Sequence, residues 1–102
     1  MTVDLYANEV VIKAGDTTQV INNGKVVGKL IITNQRVYFK AIDAENEAHN
    51  IEIIPDNISE VIYYGKGPFS TKGLEVITSD GNSHLFPLKK RDEIGRLINS
   101  MY

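Results

Sequence analysis

Three short sets of residues carry side chains able to do chemistry. Asp80, Ser83 and His84 bring a carboxylate, a hydroxyl and an imidazole within a few positions, the types a nucleophilic hydrolase uses. On a hairpin, however, Ser83 and His84 point to opposite faces of the strand. No further group is placed to orient the imidazole, and nothing supplies an oxyanion hole. His84 is read as a partly exposed strand residue, and the chain is not expected to be an enzyme. Glu45, Glu47 and His49 alternate, so an extended chain would set all three on one face as a divalent-metal set. A flexible acidic loop offers nothing to orient the histidine, and the set is read as solvated. Lys89-Lys90-Arg91 is the only run of basic residues. It could contact phosphate, but it precedes a helix whose first turn carries Asp92 and Glu93, and it too is read as a solvated run. None of the sets implies a cofactor or a metal.

A fourth set suits contact rather than chemistry. Tyr63-Tyr64 and Phe69, with Lys66, Pro68 and Lys72 nearby, lie in or beside the loop Gly65 to Gly73, which has three glycines and a proline. An aromatic displayed on such a loop offers contact area at small entropic cost. Two readings of Phe69 stand side by side: an exposed contact residue, or a ring folded back to cap the core. The candidate contacts for a partner or a lipid are therefore Tyr64, Lys66, Phe69, Lys72, Lys89, Lys90 and Arg91.

The elements that must position these residues can be read along the chain. Glu9 to Ile21 is β-branched at both ends and broken at Ala14-Gly15-Asp16, which predicts one long strand bent at a glycine bulge or two short strands. Asn22-Asn23-Gly24-Lys25 is a hairpin signal, followed by strands over Lys25 to Thr33 and Arg36 to Ile42. Between these, Thr33-Asn34-Gln35-Arg36 reads as a turn. Asn34 is expected in the left-handed conformation, Gly28 at a close approach or bulge, and Arg36 has no identifiable carboxylate or phosphate partner. Asp43 to His49 is a polar, mostly acidic connection. Strands follow at Asn50 to Ile54, stopped by Pro55, and at Ile58 to Tyr64. Leu74 to Ser79 and Asn82 to Leu88 flank Asp80-Gly81 as a two-residue hairpin. From Asp92 the pattern changes: Ile94, Leu97, Ile98 and Met101 fall at i, i+3, i+4 and i+7, which predicts a helix over about 90–101. Asp92 and Glu93 suit its first turn, and Gly95 is expected where helix and sheet backbones approach closely.

Length and composition restrict the possibilities further. A chain of 102 residues fits one domain, which buries roughly 60 to 68% of its unfolded surface. With 42% hydrophobic residues, 24% charged residues and a net charge of -2, it has the composition of an ordinary globular protein. It lacks the basic footprint that nucleic-acid binding needs. The absence of cysteine excludes disulfides, thiolate nucleophiles and Cys-type zinc sites. Asp4 and Glu9 stand where a signal peptide would carry basic residues and an apolar block, and no apolar run approaches a membrane span. An intracellular, cytoplasmic chain is expected.

The order of these elements and their local residues resemble a known family. Gly28-Lys29-Leu30 through Thr33-Asn34-Gln35-Arg36-Val37-Tyr38-Phe39 is similar to the signature of GRAM domains, where a glycine opens a strand ending in Leu-Thr-Asn-x-Arg before an apolar strand. The resemblance continues through Ile54-Pro55, Ile58-Ser59-Glu60-Val61, Gly73-Leu74-Glu75-Val76-Ile77-Thr78 and Phe86 to the closing helix, covering roughly residues 9–101. It implies the pleckstrin-homology-like superfold: a mainly β barrel or sandwich of about seven antiparallel strands, four and three, capped by one C-terminal helix. The roles it implies are lipid, including phosphoinositide, recognition and protein binding, and fold analogy does not choose between them.

Charge favours the second role. Pleckstrin-homology domains usually hold phosphoinositides with basic residues in and beside the first hairpin loop. Here that loop offers Lys25 alone, while the neighbouring loops of the same expected open end carry Asp43, Glu45, Glu47 and Asp80. Each basic residue near an anionic membrane is worth about 1 kcal/mol, so this acidic set opposes it. The leading expectation is a non-enzymatic binding or assembly module acting through protein contacts, self-association included. An edge strand beside a widened corner is a natural place for β-augmentation or a partner helix. A peripheral lipid-binding domain is the runner-up.

Overall fold

The computed structural model describes residues 4–21, 24–65, 67 and 70–102. Two antiparallel sheets face one another. The first has the order β1-β2-β3-β4 and the second β5-β6-β7. β1 is Val11–Ile21, β2 Gly24–Thr33, β3 Val37–Ala41, β4 Ile51–Ile53, β5 Ile58–Tyr64, β6 Gly73–Thr78 and β7 Ser83–Pro87, and a single helix, α1, covers Arg91–Asn99. Mainly β, with sheets of four and three strands and a C-terminal helix, is the architecture expected.

Period-2 alternation builds the core. Val26, Leu30 and Ile32 of β2 turn inward with almost no exposure, while Val27 between them is exposed. Val37 and Phe39 of β3 face Leu74, Val76 and Phe86 of the second sheet, and the Phe39 and Phe86 rings pack 6.2 Å apart. Ile94 and Ile98 of α1 are fully buried, with Leu97 and Met101 packed half-buried beside them. Full burial of such a side chain contributes about 1.5–3 kcal/mol, so the helix is part of the core.

Several local expectations are corrected. β1 is one 11-residue strand, and its register shift lies between Val11 and Lys13 instead of at Gly15. Ile21 pairs with Gly24, so Gly24 opens β2 instead of sitting in the turn; Asn22 and Asn23 lie outside the described residues. Asp80-Gly81 is not a two-residue hairpin. The Thr78 amide bonds the Asn82 carbonyl at 2.9 Å and Gly81 takes φ +88°, a three-residue connection ending in a left-handed glycine. Gly28 pairs without a bulge, but the close approach also expected there is found, since a Cβ would meet the Phe39 ring at 2.7 Å and the Lys40 carbonyl. Gly95 faces the Tyr63 phenol, not sheet backbone. Asp43 to His49 is not an irregular loop, since Ala44–His49 forms a 3-10 helix.

Candidate functional site

Among the described residues, the Thr33-to-Arg36 turn is the most densely bonded place. The Thr33 amide donates to the Arg36 carbonyl at 3.0 Å, and the Thr33 hydroxyl accepts from the Gln35 and Arg36 amides, both at 3.0 Å. That hydroxyl donates in turn to Glu9 Oε2 at 2.6 Å. The Arg36 guanidinium is buried. It grips Glu9 through Nε at 2.9 Å and Nη2 at 3.1 Å, reaches Glu52 through Nη1 at 2.6 Å and donates to the Asp4 carbonyl at 2.8 Å. The Tyr6 and Tyr38 rings lie against it at 4.1 and 4.7 Å, within cation–π range. The expectation that Arg36 lacks a carboxylate is therefore wrong: it has two, from residues 27 and 16 positions away.

The turn also ties down the chain before β1. Asn34 Oδ1 accepts from the Val10 amide at 2.8 Å, Asn34 Nδ2 donates to the Asn8 carbonyl at 3.0 Å, and Gln35 Nε2 donates to the Ala7 carbonyl at 2.9 Å. Among the described residues the left-handed non-glycine position is Asn8, at φ +63°, not Asn34. The paired guanidinium holds the Glu9 carboxyl at about 2, with the Thr33 hydroxyl assisting, against the opposing effect of burial. Glu52 is also held below the usual carboxylate range, first by the Tyr6 hydroxyl and then by Arg36. Four guanidinium hydrogen bonds and two flanking rings leave Arg36 little capacity for a ligand. This cluster is a structural latch.

The opposite situation holds where the sheets meet at the edges of β1 and β7. The Gln19 amide side chain donates to the Leu85 carbonyl, but no backbone ladder joins the two strands among the described residues. Beside this gap lies a groove of about 580 Å³ walled by Thr17 and Thr18 of β1, Val27 of β2, Thr71 and Lys72 before β6, and Leu88. The Thr17 hydroxyl is buried there with no hydrogen-bond partner among the described residues. A pocket of about 340 Å³ adjoins it, lined by Gly15, Lys29, Lys89 and Lys90. The two share Asp16, Leu88 and Lys89.

The sequence candidates divide between these surroundings. Lys72 and Lys89 are exposed and line the groove, and Lys90 lines the adjoining pocket. Arg91 is not part of a solvated run, because its Nη1 donates to the Tyr64 and Gly65 carbonyls at 2.8 and 2.7 Å. Tyr64 is half-buried over Gly73, and burial raises its phenol pKa. It serves packing more than contact. Lys66 and Phe69 lie outside the described residues. Lys29 escaped sequence reading, although the register that sets Ile21 opposite Gly24 also sets Asp16 opposite Lys29.

The remaining sets stay apart. Ser83 donates to Glu75, while His84 is half-buried beside Phe86, its imidazole held below the ordinary range by burial. Asp80 accepts from the Thr78 hydroxyl and from the Asn82 amide at 3.1 Å, stabilising its own turn. Three residues per turn of 3-10 helix remove the premise that alternating Glu45, Glu47 and His49 share a face, and Glu47 instead pairs with Lys40 at 3.6 Å. No group of three metal-ligating side chains occurs among the described residues.

By sequence, no family model and no curated protein matches the chain. Among solved structures it is similar to the C-terminal domain of an unknown protein from Leishmania infantum. The identity is 21% and the TM-score 0.77, over 93% of this chain and 85% of that one. It is also similar to the Vps36 N-terminal PH domain, with 17% identity and a TM-score of 0.65 over 95% of this chain and 84% of that one. The fold is pleckstrin-homology-like. At these identities the likeness establishes the PH-like fold, and the site must be argued from this chain's own geometry. No helix among the described residues is long and apolar enough to cross a membrane.

Proposed function

We propose that this chain is a non-enzymatic binding module, a single cytoplasmic domain of the GRAM type that acts through protein contacts at the β1/β7 corner. The observation that carries the reading is the groove of about 580 Å³ beside two strand edges that no backbone ladder joins among the described residues. Its volume lies within the roughly 300–1,000 Å³ range of sites that engulf a ligand, and unpaired strand edges are what an added segment hydrogen-bonds. Lys72 and Lys89, both sequence candidates, line it.

Amide chemical-shift mapping tests the reading. A pool of extended peptides of mixed composition is expected to shift Thr17, Thr18, Val27 and Leu88; shifts confined to other surfaces would contradict it. Light scattering on the chain alone then separates a foreign partner from a second copy. Phe69→Ala distinguishes the two roles of that ring, since a large fall in melting temperature makes it core and little change leaves it a contact residue.

Lys29, Lys89 and Lys90 around the smaller pocket favour a second reading, peripheral lipid binding. Sedimentation with phosphoinositide vesicles decides between them, and robust, salt-sensitive binding would reverse the order.

A further inference from the structure

We infer that the segment seated at this corner is an extended, acidic stretch of a partner protein, its backbone along the open edge of β1 and its carboxylates held by Lys72, Lys89 and Lys90. The inference rests on the protein-contact reading above and adds the conformation and charge of what is bound.

The groove and the adjoining pocket form one trough, because Asp16, Leu88 and Lys89 belong to both. Its lysines come from three separated parts of the chain: Lys29 on β2, Lys72 ahead of β6, and Lys89-Lys90 between β7 and α1. The carboxylates around it already have partners. Asp16 pairs with Lys29 at 3.2 Å, Glu93 with Lys13 at 2.5 Å and Asp92 with Arg91 at 2.9 Å. Among the described residues, Lys72, Lys89 and Lys90 make no ion pair. The trough therefore presents unmatched positive charge on a chain whose net charge is -2, and the charge that complements it is negative.

Conformation follows from the backbone. β1 is an edge strand, and the Thr18 carbonyl accepts only the neighbouring Gln19 side chain among the side-chain donors described. An extended segment can supply backbone partners to such an edge, whereas a helix has its own already satisfied.

The test is calorimetric titration of the full chain with three synthetic peptides of about eight residues, on the order of 27 Å when extended. Thr and Val alternate with Glu in one, with Gln in the second and with Lys in the third. The Glu peptide is expected to bind more than tenfold tighter than the Lys peptide, the gap narrowing between about 0.05 and 0.5 M salt. Lys89→Glu with Lys90→Glu is expected to weaken the Glu peptide about tenfold while the melting temperature holds. Equal affinity for all three peptides overturns the charge inference and leaves the protein-contact reading standing. Failure of every peptide overturns both. So do binding to phosphoinositide vesicles that the double variant abolishes, which makes this a membrane site, and a light-scattering mass of two chains that the same variant halves, which makes the occupant a second copy.

Discussion

The Arg36 latch and the β1/β7 corner both concentrate charge, and they are in opposite states of completion. At the latch, the Arg36 side chain is 4% exposed and the Glu9 side chain 0%, and the donors are matched to carboxylates, a carbonyl and two rings. At the corner, among the described residues, Lys72, Lys89 and Lys90 make no ion pair, two strand edges meet without a ladder, and the Thr17 hydroxyl is unpaired. A buried arginine is often a first suspect for a site. Here full pairing marks it as structure, and the incomplete pairing elsewhere is what supports the corner as the proposed contact surface.

Breaking the latch gives the largest expected effect. Arg36→Ala leaves Glu9 buried without its countercharge, a loss of about 3–5 kcal/mol, which for a domain of this size lowers the melting temperature by roughly 15–30 °C. Arg36→Met with Glu9→Leu is expected to recover most of that loss, since a buried pair replaced by well-packed apolar residues is often neutral. Thermal melts of both variants test the assignment, and a mild Arg36→Ala phenotype would refute it.

Acid acts on the same pair more gradually. Glu9 is lowered from 4.5 to about 2 in the folded chain, so the unfolded chain binds more protons in this window and stability rises with pH across it. The contribution is complete above pH 4.5 and is lost progressively as pH falls from 4.5 to about 2. Denaturant midpoints measured across that range should show a fall that Glu9→Gln largely removes.

Changes at the corner act little on the fold. Thr17→Val removes a buried hydroxyl without a partner among the described residues and is expected to stabilise the chain by about 1 kcal/mol, read as a higher denaturant midpoint. Lys89→Glu and Lys90→Glu are expected to stay within about 0.5 kcal/mol of the parent. A large destabilisation there would make the corner a second structural cluster and erase the contrast with the latch.

How much of this was legible differs by range. The helix was readable because Ile94, Leu97, Ile98 and Met101 lie within two turns, and the strands because β-branched runs are bounded by turn residues such as Asn22-Asn23-Gly24 and Asp80-Gly81. Lys72, Lys89 and Lys90 were readable as candidate contacts, but not as neighbours. Arg36 was misread because Glu9 and Glu52 lie far from it in sequence, and neither carries a local sign of its pairing. The segment before β1 shows no periodicity at all. Its order comes from hydrogen bonds to Asn34, Gln35 and Arg36.

The amino-acid sequence by itself determined the elements, the antiparallel order and the resemblance to a pleckstrin-homology-like fold, since turn residues and hydrophobic period act over a few positions. Only the tertiary structure decided that Arg36 is closed off and that Lys29, Lys72, Lys89 and Lys90 share one open corner. Both depend on how two sheets and a helix close on one core, and burial and pairing between distant residues exist only after that closure.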